Sequence, residues 1–470
     1  MDRREFLRVT GATVAGLGLM GAGCQSQQAR PGGGAAARRP NILIIMTDQQ
    51  FAGAMGCLGM AGLRTPAMDS LAKHGAVFDR TYCADPLCVP SRASMFTGRM
   101  SHEVGAPINV AARDGLTELP LLGAILGTAG YRCGYAGKWH LPVPKATAKQ
   151  HGFALLPGEP DGRILPACRE FIGAAREKPF LLVASFMNPH DICQWARGEA
   201  LPHGAIGEPP PAEKCPALPA NAAIPADEPT ALAEIRKGDG AQKEPQTWSE
   251  DKWRQYRWAY HRLIEMVDGH IAELLRALRE AGLEENTVVV FTSDHGDGMG
   301  AHQWNQKIVL YEESVRVPFI VSQKGVTKGG LVDRQHLVSS GLDLIPTLCD
   351  YAGVAAPANA LGRSVRPLAE GREPAGAWRD CVFAETEWGG WDKPSGQQGR
   401  MARTNRYKYV VYNWGERGEQ LFDLEKDPGE MRNLAAGGDH AEILHDHRTR
   451  LAAWLKQTGD AFVVPPSFPL

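Results

Sequence analysis

The chain has 470 residues, of which 43% are hydrophobic and 22% charged, and 51 basic against 53 acidic side chains leave a formal net charge of -2. Such a chain buries a large core, and its composition excludes a disordered or fibrous protein. With no basic excess, nucleic acid is not expected as a partner.

The first residues differ from everything after them. Arg3 and Arg4 precede an apolar, Gly- and Ala-rich run from Val9 to Gly23, the pattern of a twin-arginine export signal. The run is too short and glycine-rich for a good spanning helix. The expectation is an exported protein, handled by the twin-arginine machinery and delivered to a bacterial periplasm or cell surface. Small residues precede Cys24 and leave a lipid anchor open there, the one link to a membrane, although Gly21 stands where lipoprotein processing favours an aliphatic residue. Gln25 to Arg39 reads as a flexible tether, which closes a first division at 1–39.

Asn41 to Met46 is a continuous apolar run, as in a strand buried on both faces of a parallel sheet, and it ends in Thr47-Asp48-Gln49-Gln50. Next comes CVPSRASMFTGR, Cys88 to Arg99, whose Cys88 reads equally as a buried sulfur, a disulfide partner or a nucleophile. Ten Cys are present without a CxxC pair, which disfavours a structural zinc site, and no disulfide pairing can be read from their positions. Lys138 and His140 stand two apart, on one side of an extended segment, and suit an anionic substrate: the Lys neutralises it and the His moves a proton near neutral pH. Surface charge explains either residue alone.

A second apolar run, Pro179 to Phe186, ends in Asn188-Pro189-His190-Asp191, and a third, Thr287 to Thr292, ends in Ser293-Asp294-His295-Gly296-Asp297. Asp48, Asp294 and His295 thus stand at strand ends, where they can hold a hard cation or simply cap the turns that follow. Glu199 to Glu244 is Pro- and Ala-rich and reads as a surface insertion, Trp253 to Leu283 has helical spacing with Gly282 as its stop, and Lys307 is a weak signal alone. The second division is 40–370, which carries these candidate groups. From 371 to 470, strand-like pieces at Cys381–Thr386, Arg406–Tyr412 and Gln420–Leu424, then a helix near Ile443 to Thr458, predict a small antiparallel subdomain.

CVPSRASMFTGR resembles the signature of the type I, formylglycine-dependent sulfatases of the alkaline-phosphatase-like superfamily, matching at Cys88, Pro90, Ser91, Arg92, Thr97, Gly98 and Arg99, with Phe96 where Leu is usual. The resemblance runs from Pro40 to the C-terminus through NILIIMTDQQ, AGYRCGYAGKWHL, NPHD and TVVVFTSDHGDGMGAHQWNQK. It implies an α/β fold, a large mostly parallel or mixed sheet sandwiched by helices with a smaller C-terminal antiparallel subdomain, and it implies that 40–370 is a catalytic domain. It implies that a maturation enzyme converts Cys88 to formylglycine (3-oxoalanine). Asp48, Gln49, Asp294 and His295 would then bind Ca²⁺ together with the modified Cys88, Gln49 standing where many members carry a second Asp. Arg92, Lys138 and Lys307 would screen the sulfate, His140 would assist regeneration of the aldehyde, and His190 with Lys307 would protonate the leaving oxygen. For Asn109, Asp191 and His302, substrate contact and loop hydrogen bonding are equal readings.

The implied function is an exported, calcium-dependent sulfatase acting on a sulfated glycan or small molecule. The alternatives are a phosphonate or phosphate monoester hydrolase of the same fold and a non-catalytic glycan-binding relative, which the intact Cys88 segment disfavours.

Overall fold

The computed structural model describes residues 39–112, 118–174, 177–238, 240–390 and 392–465. The twin-arginine segment, Cys24 and the tether up to residue 38 lie outside the described residues.

In chain order the strands up to residue 339 are β1 (Asn41–Asp48), β2 (Gly75–Phe78), β3 (Thr81–Tyr82), β4 (Arg132–Gly137), β5 (Ala154–Leu155), β6 (Phe180–Pro189), β7 (Thr287–Ser293), β8 (Phe319–Ser322), β9 (Leu331–Asp333) and β10 (Val338–Ser339). Strands β3 and β10 form a separate short pair, and the others build one sheet in the order β5-β4-β6-β1-β7-β8-β2-β9. From β4 through β6 and β1 to β7 the pairing is parallel, whereas β8 runs against both β7 and β2. The four central parallel strands therefore end side by side.

The unbroken apolar runs have a simple cause. Successive side chains of a strand point to opposite faces, and both faces of this sheet are covered. In β1, Leu43 and Ile45 pack with Phe171 and with Tyr260 and Leu263 on one face, while Ile42, Ile44 and Met46 pack with Phe96, Leu344 and Leu348 on the other. The first face is covered by helices Asp161–Gly173 and Glu250–Glu280, the second by Cys88–Thr97 and Ser340–Ala352. The long helix starts three residues before the predicted Trp253 because Ser249 caps it, its hydroxyl accepting from the Lys252 amide at 3.3 Å.

The C-terminal sheet runs β11 (Cys381–Gly390), β12 (Lys393–Thr404), β13 (Tyr407–Tyr412) and β14 (Glu419–Asp423), antiparallel throughout. Its Tyr409, Val411 and Leu421 lie under Leu444, Leu451 and Leu455 of helix Ala441–Thr458, and its other face packs Met401, Val410 and Phe422 with Trp304 and Leu310. Within the expected 199–244 insertion lies a helix, Thr230–Gly238, whose Ala231, Leu232 and Ile235 join that same core. Its two turns are too short to show a periodicity. Arg236 anchors it by pairing with Glu228 at 2.7 Å and lying over Trp304.

His261, on the long helix, is 1% exposed, and burial with Arg257 and Arg262 nearby pushes its imidazole down to about 4. The folded pKa is below the unfolded value of about 6.5, so this histidine leaves stability intact above that pH. As pH falls from about 6.5 towards 4 the unfolded chain takes the proton preferentially, a loss approaching about 3 kcal/mol. Urea unfolding of His261→Gln at pH 7.5 and 4.5 is expected to show a smaller acid loss than the parent by about 2 kcal/mol. Equal losses would contradict the neutral buried histidine.

Candidate active site

Helix Cys88–Thr97 points its N-terminus into the crevice at the carboxyl ends of the central strands, where open α/β sheets bind ligands. Asn109 holds that end in place, its Oδ1 accepting from the Val89 amide at 3.1 Å. Four residues after Cys88 comes Arg92, on the same helical face and fully buried. Its Nε donates to Asp294 Oδ2 at 2.8 Å and its Nη2 to Asp48 Oδ2 at 3.1 Å. Its Nη1 donates to Ser185 Oγ at 2.9 Å and to the Lys138 carbonyl at 3.1 Å. One guanidinium thereby joins the ends of β1 and β7 and the middle of β6 to the residue that follows β4. Gly137, at that last junction, has φ +92°, and a Cβ there would lie 1.9 Å from the Ser185 carbonyl oxygen, so only glycine fits.

Burial raises the Asp48 carboxyl, but Lys138, His190, Lys307 and Arg92 outweigh it and hold Asp48 well below the usual carboxylate range. Asp294 goes the other way, raised by burial and by Asp48. Its Oδ1 accepts from the amides of Gln49 and His295 at 3.1 and 2.9 Å.

Around Cys88 the surroundings are cationic. Lys307 Nζ donates to its Sγ at 3.1 Å, His295 Nε2 stands 3.3 Å from the same sulfur, and Lys138 pairs with Asp48 behind it. Burial and Asp48 push the thiol up, yet Lys138, Lys307 and His295 bring it well below its ordinary range. His190 sits just past β6, and burial with Lys307 keeps its imidazole neutral. Cys88, Lys138, His140, His190 and Lys307 all line one cavity of about 550 Å³. His140 enters its wall from a backbone at φ +40°.

Arg92 does not line this cavity. It was expected from sequence among the groups that screen sulfate, but protein acceptors engage its guanidinium on every nitrogen, and it acts as a strut behind the site. Asp191 is also turned aside, its carboxylate taken by the His203 amide and ring at 3.0 and 2.8 Å. His302 stacks on Tyr311 at 3.9 Å and is likewise outside the cavity, whereas Asn109 lines it.

Asp48, Cys88, Asp294 and His295 place candidate ligand atoms within 4.8 Å of one another. Asp48 Oδ1 is buried without a hydrogen-bond partner, and His295 Nδ1 is tied to the Gly296 carbonyl at 2.9 Å, which turns Nε2 towards the cluster. Two hard carboxylates, one with an uncommitted oxygen, and an imidazole fixed through its other nitrogen fit a hard divalent cation. Gln49 adjoins them at φ +70°, but its Oε1 accepts from Lys307 at 2.9 Å and its Nε2 donates to Asp297 Oδ2 at 2.8 Å.

Several supporting residues had no readable signal of their own. Ser185 looks like any strand residue until Arg92 finds it. Tyr256 and Tyr260 form part of the apolar stripe of the long helix, yet the Tyr256 hydroxyl donates to Asp297 at 2.9 Å and the Tyr260 hydroxyl to the Gln49 carbonyl at 2.6 Å. Burial pushes Asp297 up to about 6.

Residues 40–354 match the family model described as Sulfatase, and residues 300–457 match the model described as N-sulphoglucosamine sulphohydrolase, C-terminal. The chain is 30% identical over 467 residues to a Delta 4,5-hexuronate-2-O-sulfatase of Bacteroides thetaiotaomicron, covering 95% of this chain and 93% of that one. The solved structure of a 2-O GAG sulfatase is similar with a TM-score of 0.80 and 30% identity, over 90% of this chain and 94% of the other. A phosphonate monoester hydrolase of Agrobacterium radiobacter shares the fold, at TM-score 0.75 and 22% identity over 89% and 96% of the two chains.

Replacing Arg92 leaves two buried carboxylates facing one another. Arg92→Gln is expected to lower stability by about 3–5 kcal/mol at pH 7.5. Urea unfolding measures it, and a loss under about 1 kcal/mol would contradict the strut.

Proposed function

The chain belongs to the sulfatase family of the alkaline-phosphatase-like superfamily, and from that premise we propose that it removes sulfate from a sulfated saccharide after Cys88 is converted to formylglycine. It is a sulfuric ester hydrolase; the saccharide, the formylglycine and a calcium ion held by Asp48, Gln49, Asp294 and His295 are our reading. The observation that carries it is the set of Lys138, Lys307 and two histidines converging on residue 88 in one cavity. The relatives that act on glycosaminoglycan-type sulfates support a saccharide substrate.

The hydrated aldehyde would supply one hydroxyl for attack on sulfur and a second whose loss of a proton expels the sulfate. The cation would supply charge neutralisation beside it. The chain's own residues do the rest. Lys138 and Lys307 meet the sulfate oxygens and stabilise the charge that grows on them. His190, neutral in the free protein, gains proton affinity when an anion lies beside it, and is placed with Lys307 to protonate the leaving oxygen. His140, on the cavity wall, takes the proton that regenerates the aldehyde. Arg92 holds Asp48 and Asp294 in line for the cation. Arg3 and Arg4 support export of the chain, and CVPSR supports recognition by a formylglycine-generating enzyme.

Protein produced in a host that carries out the conversion is expected to release sulfate from a sulfated saccharide at least about a hundredfold faster, by kcat/KM, than it cleaves phosphate or phosphonate monoesters. A preference for phosphate would reverse the assignment. Cys88→Ala is expected to lower kcat by about a thousandfold or more while urea unfolding stays near the parent. Near-normal turnover would overturn the role of residue 88.

A further inference from the structure

A second cavity, about 370 Å³, lies between the 102–110 segment and the C-terminal sheet. Val110 lines both cavities; Asn109 and Ala111 face the catalytic one, and Pro107 and Ile108 the other. A single segment of chain therefore separates them, held to the C-terminal sheet where the Ala111 amide donates to Asp392 Oδ1 at 2.9 Å.

The second cavity is acidic. Five carboxyl side chains line it, Asp85, Glu385, Glu387, Asp392 and Asp460, against the cations His102 and Arg400. Those two cations are already matched: His102 Nδ1 lies 2.6 Å from Glu385 Oε2, and Arg400 forks onto Asp460 at 2.7 and 2.9 Å. Glu387, bonded to Gln398 Nε2 at 2.9 Å, and Asp392 are left as the excess negative charge. Deeper in, Asp85 is 1% exposed and its Oδ1 has no hydrogen-bond partner. Burial and Glu385 push Asp85 well above the ordinary carboxyl range, so it offers an O–H donor. Ile108, Val110 and Pro394 supply apolar walls.

Carboxylates that accept from hydroxyls, a protonated acid that donates and an apolar wall for a ring face are what a sugar ring needs. A sulfate or carboxylate there would meet like charge, and among the described residues that line the cavity both cations are already paired. We propose that this cavity is the subsite for the saccharide unit next to the sulfated one, and that it takes an uncharged, hydroxyl-rich ring and rejects a sulfated one. The proposal rests on the reading of the chain as a saccharide sulfatase. The substrate is then an oligosaccharide whose neighbouring unit carries no sulfate.

The test compares sulfate release from two disaccharides of 2-O-sulfated Δ4,5-hexuronate, one joined to N-acetylglucosamine and one to N-sulfoglucosamine, and from the hexuronate sulfate alone. The expected kcat/KM is at least about tenfold higher for the N-acetyl than for the N-sulfo disaccharide, with that ratio falling to within about threefold in Glu387→Gln and Asp392→Asn. A parent ratio near one, or a ratio that neither variant changes, overturns the subsite. Binding of unsulfated chitobiose, followed by calorimetry, needs no turnover and decides the matter even if none of the three esters is cleaved, an outcome that would count against the 2-O-sulfated hexuronate and not against the subsite. Chitobiose binding that weakens about tenfold in Glu387→Gln supports the subsite, and no binding at about 10 mM overturns it.

Discussion

One buried guanidinium sets the geometry on which the rest of the site depends. Arg92 sits between Asp48 and Asp294, at 3.1 and 2.8 Å, with no part of its side chain in water. Two carboxylates that close would repel strongly in a dry interior, and a lone arginine there would be equally unfavourable, so neither exists without the other. Because the same side chain also bonds Ser185 and the Lys138 carbonyl, four neighbouring strands are fixed in one register with the helix that carries residue 88. The strut spans one helical turn, which is why Cys88 and Arg92 must be four residues apart.

In front of that strut the field changes sign. Lys138, Lys307 and His295 surround residue 88, and their combined effect is large enough to overcome both burial and Asp48 on the Cys88 thiol. The same arrangement that would make a thiolate is suited to an anionic ester. The second cavity, across Val110, is acidic instead. A substrate laid across both meets cations at its sulfate and carboxylates at its neighbour, and that contrast is a basis for discrimination beyond the reacting group.

Much of this was legible in the chain. The three apolar runs became β1, β6 and β7 because strands covered on both faces need apolar residues at every position, and their polar ends met because the strands are adjacent. β12 gave no signal: Lys393–Thr404 is rich in Gly, Gln and Arg, and its pairing on both sides by β11 and β13 places it in the sheet. The role of Arg92 was misread for a related reason, since residue type announces charge while only the fold shows which way a guanidinium faces. Tyr256 and Tyr260 were hidden in the same way, their rings serving the helix stripe and their hydroxyls the site.

The claim that holds the account together is that residue 88 acts as something other than a cysteine. Peptide mass analysis of the segment containing residue 88, made on the same preparations whose sulfate release is measured, tests it most directly. The account predicts a peptide lighter than its thiol form, trapped by an aldehyde reagent, in a fraction that rises in proportion to activity across preparations. Full activity from protein whose residue 88 is still a thiol would contradict it.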